Sequence, residues 1–129
     1  MGKNRVALVV DDSMLVRHCV CRFLEQRGFT VQAASDGREA LQKLAGMRVD
    51  LLVTDLEMPR MGGLELIAEL KQGTRTTRIP IIIVTGRKVA GDYGGKADYS
   101  IYKDIDIEGQ LGKALTKIFG KSLAAEAGR

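Results

Sequence analysis

The chain has 129 residues, 45% hydrophobic and 28% charged, with 20 Lys and Arg against 16 Asp and Glu for a formal net charge of +4. That is one domain's length, with enough apolar residues for a real core. Basic residues are scattered, as in RTTR at 75–78, and six aromatics (three Phe, three Tyr) are spread along the chain, so no basic stripe with interleaved aromatics marks a nucleic-acid surface and the charge reads as solvated.

MGKNR at the start precedes only five apolar residues, VALVV (6–10), too few for a signal peptide or a membrane span. They read instead as a first strand. MLVRHCVCRFLEQ (14–26) follows, with Leu15, Cys19, Phe23 and Val16, Val20, Leu24 at helical spacing before Gly28. Cys19 and Cys21 point to different faces of that helix and cannot pair, which suits a reducing cytoplasm. His18 shares a face with Cys21, but no second pair of ligands accompanies them. TVQAA (30–34) is the second strand, and GREALQKLAG (37–46), capped by Ser35 or Asp36, the second helix. VDLLV (49–53) is a third strand. After DLEMPRMGG (55–63), GLELIAELKQG (63–73) places Leu64, Ile67, Ala68 and Lys71 on one helical face. IPIIIV (79–84) and YSIY (99–102) are strands, and IEGQLGKALTKIFG (107–120) puts Leu111, Leu115, Ile118 and Phe119 on one stripe. Residues 1–120 form the domain, and KSLAAEAGR (121–129) is a tail or the start of a linker. The strands are short, rich in β-branched residues and mostly uninterrupted, as in a parallel sheet covered on both faces. Alternation with helices makes this a doubly wound α/β sheet of five strands.

In such sheets ligands sit beyond the carboxyl ends of the strands. Asp11 and Asp12 end the first strand, Asp55 the third, Thr85 the fourth and Lys103 the fifth. Singly, each has an ordinary role: Asp12 or Ser13 as a helix cap, Thr85 as the start of a loop, Lys103 as a solvated lysine. Three carboxylates together repel unless a cation holds them, and Mg²⁺ prefers oxygen ligands and shares phosphate oxygens. Asp55 is then placed to attack a phosphoryl group, with Thr85 and Lys103 stabilising its oxygens.

VVDDS (9–13), TDLEMPRMGGLE (54–65), VTG (84–86) and YK (102–103) together resemble the receiver domains of two-component response regulators, of the chemotaxis-regulator type, from Arg5 to Phe119. The resemblance implies a flavodoxin-like strand order 2-1-3-4-5. It implies Asp55 as phosphoacceptor, Mg²⁺ held by Asp11, Asp12, Asp55 and the carbonyl of Glu57, and Thr85 and Lys103 as the groups that meet the phosphoryl oxygens. Its implied partners are a histidine kinase or histidine phosphotransfer protein and a downstream protein target or attached output domain, in the cytoplasm, with no direct nucleic-acid or membrane contact. Such a domain catalyses its own phosphotransfer and aspartyl-phosphate hydrolysis rather than turning over external substrates.

Three departures stand out. Asp104 occupies the position of the family's proline after the lysine, and a trans bond is expected there because cis costs a non-proline residue about 3 kcal/mol. The stretch from Thr85 to Lys103 is about one helical turn shorter than usual and carries Gly86, Gly91, Gly94 and Gly95, so the helix between the fourth and fifth strands is expected to be short or absent. Ser100 stands at the family's switch aromatic; Tyr102, which shares its face, is the candidate substitute, with packing against the last helix as its ordinary role. Glu57 and Arg87, each two residues beyond a rim residue, are expected to pair across the mouth of the site. The alternative is a receiver-like interaction module that works without phosphorylation; an aspartyl phosphatase with Glu57 as general acid fits the rest of the rim less well.

Overall fold

The computed structural model describes residues 4–86 and 97–120. Five parallel strands, β1 (Val6–Val10), β2 (Thr30–Ala34), β3 (Leu51–Thr54), β4 (Ile81–Thr85) and β5 (Tyr99–Tyr102), lie in the order β2-β1-β3-β4-β5. Helices α1 (Met14–Gln26), α2 (Gly37–Gly46), α3 (Gly63–Gln72) and α4 (Ile107–Phe119) complete the described elements. No described helix is long and apolar enough to cross a membrane.

Alternation along the strands divides the core. Ala7, Val9, Leu51, Val53, Ile82, Val84 and Ile101 face α1 and α4 through Val20, Phe23, Leu24, Leu111 and Leu115. Leu8, Val10, Leu52, Ile81 and Ile83 face α2 and α3 through Ala40, Leu44, Leu66, Ile67 and Leu70. The central strands are buried on both faces, which is why they read as unbroken apolar runs.

Helix starts follow local chemistry. Ser13 Oγ accepts from the Val16 N–H at 3.3 Å, and Asp36 rather than Ser35 caps α2, its Oδ1 accepting from the Glu39 N–H at 2.9 Å. Gly28, at φ 89°, takes the left-handed turn that ends α1.

Some boundaries and faces differ from the sequence reading. The third and fourth strands begin two residues later than their apolar runs. Asp50 turns its carboxylate back to the Val6 N–H, and Pro80 has no N–H to give a ladder, although its carbonyl accepts from Leu52. On α3 the buried face is Gly63, Leu66, Ile67 and Leu70, while Leu64 and Ala68 are exposed. A glycine at the inward position hid that stripe from a hydrophobicity pattern. Leu15 on α1 is likewise exposed. The Lys103–Asp104 bond is trans, as expected. The expected shortened or absent helix falls at 87–96, outside the described residues, as does Arg87.

Candidate functional site

Asp11 and Asp55 are still held by the sheet at their backbones: the Asp11 N–H donates to the Ala34 carbonyl at 3.1 Å and the Asp55 N–H to that of Val10 at 2.9 Å. Their side chains therefore emerge where the strands stop. Both are buried, Asp12 beside them is exposed, and one oxygen from each of the three carboxylates falls within 4.8 Å of the others. Lys103 arrives from the end of β5, its Nζ 2.9 Å from Asp55 Oδ2 and 3.1 Å from Asp11 Oδ2. The other oxygens are occupied by local backbone, with Leu56 N–H on Asp55 Oδ1 at 2.7 Å and Ser13 N–H on Asp11 Oδ1 at 2.9 Å.

The electrostatics are lopsided. Burial raises the Asp11 pKa and Asp55 adds to it, while the Ser13 N–H and Lys103 pull it down without prevailing. Burial also works against the Lys103 ammonium, yet two carboxylates outweigh it and raise its pKa. One cation shared by two acids satisfies itself before it satisfies either acid. Among the described residues, the three clustered carboxylates are met by the single ammonium of Lys103.

Thr85 is buried at the end of β4, and its carbonyl receives the Lys103 N–H at 2.9 Å, so the backbones of the fourth and fifth strands are joined where Lys103 leaves the sheet. Glu57 is exposed, and its side chain stands apart from the three-carboxylate cluster. Tyr102 is half-buried, on the face opposite Tyr99 and Ile101, which pack toward α1 and α4.

The loop from Asp55 to Gly63 folds tightly under the acid. Gly63 N–H donates to the Leu56 carbonyl at 2.9 Å, and a Cβ on Gly63 would lie 2.1 Å from the Asp55 carbonyl oxygen. Only glycine lets α3 start there. Sequence reasoning missed two supports. Arg17 Nη1 donates to the Asp11 carbonyl at 2.7 Å from one turn inside α1. Asp36, read only as a cap, also takes Arg60 Nε at 2.8 Å and Arg60 Nη2 on its other oxygen, tying the start of α2 to the acceptor loop. Gly37 N–H donates to the Met61 carbonyl at 3.0 Å and strengthens that joint. Neither pair, six and 24 residues apart, leaves a periodic signal.

The donor set suits Mg²⁺: among the described residues three carboxylates, all hard oxygen ligands, converge, and Lys103 offsets one of their charges. Fold and site thus define a doubly wound α/β domain with a carboxylate pocket at the ends of its strands, where this class binds ligands. The chain belongs to the response regulator receiver domain family, whose pattern it matches over residues 7–116. It is 42% identical over 97 residues to the response regulator MprA of Mycobacterium ulcerans, covering 71% of this chain and 41% of MprA, so it spans about two fifths of that relative's length. The structure is similar to the chemotaxis response regulator CheY4 of Vibrio cholerae (TM-score 0.81, 28% identity, 91% of this chain and 100% of that one). It is also similar to the Thermotoga maritima response regulator TrrA in complex with Mg²⁺-BeF (TM-score 0.78, 28% identity, 89% of this chain and 99% of that one), a protein also solved with the histidine kinase ThkA.

Proposed function

We propose that this receiver domain takes a phosphoryl group from a phosphohistidine donor onto Asp55 and signals through the resulting change at the ends of β4 and β5. The observation that carries the reading is the convergence of Asp11, Asp12 and Asp55 with Lys103 bridging two of them. Asp55 supplies the nucleophilic oxygen: its bond to phosphorus forms as the donor's phosphorus–nitrogen bond breaks, and the electron pair leaves on the imidazole. Lys103, held against Asp55 Oδ2, offers its charge to the phosphoryl oxygens as they arrive, and Thr85, buried at the end of β4, is the hydroxyl assigned to meet them. Asp11 and Asp12, with Asp55 and the Glu57 carbonyl, would hold Mg²⁺. When bound, that ion neutralises the charge shared by acceptor and phosphoryl oxygens.

The donor protein has an apolar rim to meet. Met14 and Leu15 just beyond Asp12, and Ile105 just beyond Lys103, are 72%, 79% and 54% exposed. Large apolar side chains around an otherwise acidic mouth suit a transient protein contact. The signal leaves through β5 and the segment before it, with Tyr102 in place of the switch aromatic. Residues 1–120 are the signalling unit and 121–129 a tail or linker toward a target or output domain.

The test is incubation with Mg²⁺ and a small phosphodonor, followed by intact mass. One phosphoryl group on the wild type, none on Asp55→Asn and none without Mg²⁺ is the expected result. A wild type that takes up no phosphate would leave the phosphorylation-independent interaction module as the reading.

A further inference from the structure

Lys103 comes from the edge of the sheet, where little holds a strand end in place. Among the described residues, the outermost strand β5 has a strand neighbour only on its β4 side. Lys103 N–H uses that side, donating to Thr85. Tyr102, one residue earlier, therefore turns its own N–H and carbonyl outward, away from any strand. Both are nevertheless paired, by one side chain. Gln110 Oε1 accepts from the Tyr102 N–H at 3.1 Å, and Gln110 Nε2 donates to the Tyr102 carbonyl at 2.8 Å and to the Ile105 carbonyl. A single carboxamide thus stands in for a sixth strand on one side of Lys103 and pins the turn on the other.

The segment between is built to allow this. Asp106 adopts φ 35° and folds its carboxylate over the first turn of α4, accepting from the Gly109 N–H at 3.1 Å. A Cβ on Gly109 would lie 2.1 Å from that carboxylate. With Asp106 capping α4, Gln110, in the first turn of that helix, comes back beneath Tyr102.

We propose that Gln110 is a positioning residue for the phosphoryl chemistry, fixing the 102–105 backbone so that Lys103 reaches Asp55 and Asp11. Asp104, trans and exposed, gives this segment no proline ring to stiffen it, and the Gln110 carboxamide supplies the constraint instead. The inference rests on the reading of Asp55 as acceptor and Lys103 as its counter-charge.

The experiment is a double-mutant cycle on phosphorylation by a small donor with Mg²⁺, using Gln110→Leu, Lys103→Ala and the pair, each confirmed folded by circular dichroism. Acting through Lys103, Gln110→Leu slows uptake about tenfold when Lys103 is present and leaves the rate unchanged in the Lys103→Ala background. A merely structural role predicts the same factor in both backgrounds, and that result, or no slowing at all, would overturn the proposal. A second readout needs no phosphate. Lys103 Cδ lies 3.9 Å from the point where a side chain would begin on Gly86, so nuclear Overhauser contacts should join the Lys103 methylenes to the Gly86 α-protons. Gln110→Leu should weaken those contacts and speed hydrogen exchange at the Tyr102 amide. If the wild type takes no phosphate, or Lys103→Ala matches it, the functional reading fails while this measurement still decides whether Gln110 places Lys103. Unchanged contacts and unchanged exchange would sink it.

Discussion

Replacing Gly63 by alanine puts a methyl carbon 2.1 Å from the Asp55 carbonyl oxygen and 3.0 Å from Leu56 Cα. Ordinary carbon contacts lie near about 3.5 Å, so the overlap is about 1.4 Å. Both obstacles are backbone, one at the end of a buried strand, and neither can rotate aside. The chain must separate α3 from β3, which carries an overpacking cost of about 1–3 kcal/mol. The Gly63 to Leu56 hydrogen bond goes with it, about 1 kcal/mol more. A total of about 2–4 kcal/mol is a large share of the roughly 5–15 kcal/mol that stabilises a domain. Urea denaturation followed by circular dichroism should show the midpoint falling by about 1–2 M, at an m-value of about 2 kcal/mol/M. Gly46→Ala is the control. It makes the same chemical change at the last residue of α2, where nothing lies within 4 Å, and should stabilise by about 0.5–1 kcal/mol. A Gly63→Ala protein within about 1 kcal/mol of wild type would refute the steric reasoning. So would an equal loss in the control.

The joint between α2 and the acceptor loop should appear in acid. The Glu39 N–H first, and Arg60 after it, lower the Asp36 pKa; the Ser35 N–H and hydroxyl lower that of Glu39. Each contributes stability present above its unfolded value, about 4, and lost as pH falls toward the lowered folded value. The melting temperature should therefore drop on acidification through that window, and Asp36→Asn should flatten the drop; an undiminished acid limb in that variant would count against the joint. Asp12→Asn should weaken Mg²⁺ binding about tenfold or more in calorimetry, because it removes the exposed one of three clustered carboxylates that would hold the ion, while stability stays within about 0.5 kcal/mol. Unchanged Mg²⁺ affinity would remove Asp12 from the ligand set. Met14→Ser with Leu15→Ser should slow transfer from a phosphohistidine protein far more than transfer from a small donor; equal slowing would mean that the apolar rim is no docking surface.

Much of the architecture was legible because each strand is a short apolar run and each helix begins or ends at a capping residue or glycine. The rim was legible for a related reason: a doubly wound sheet sends the residue after each strand to one side, so Asp11, Asp55, Thr85 and Lys103 could be collected from position alone. What escaped was whatever depends on a missing side chain or on a partner distant in the chain. Gly63 faces the core without being hydrophobic, so the buried stripe of α3 looked rotated toward Leu64. Asp36 looked the same as any cap until Arg60 was seen on its free oxygen. Gln110 lies outside the stripe of Leu111, Leu115, Ile118 and Phe119 and drew no reading from sequence, because no periodicity announces a side chain that completes a sheet edge.

The position of Lys103 along the chain has a consequence for synthesis. β1 lies between β2 and β3, so residues up to Thr54 suffice for three neighbouring strands with α1 and α2. Lys103 follows Asp55 by 48 residues and Asp11 by 92. A chain emerging from the ribosome therefore gathers its acids well before their counter-charge, and non-local closure of this kind is the slow part of folding. Until β5 docks, Asp11 and Asp55 lack the ammonium that pairs them in the finished domain. The site thus reports completion: only a chain whose last strand has docked carries acceptor and counter-charge together.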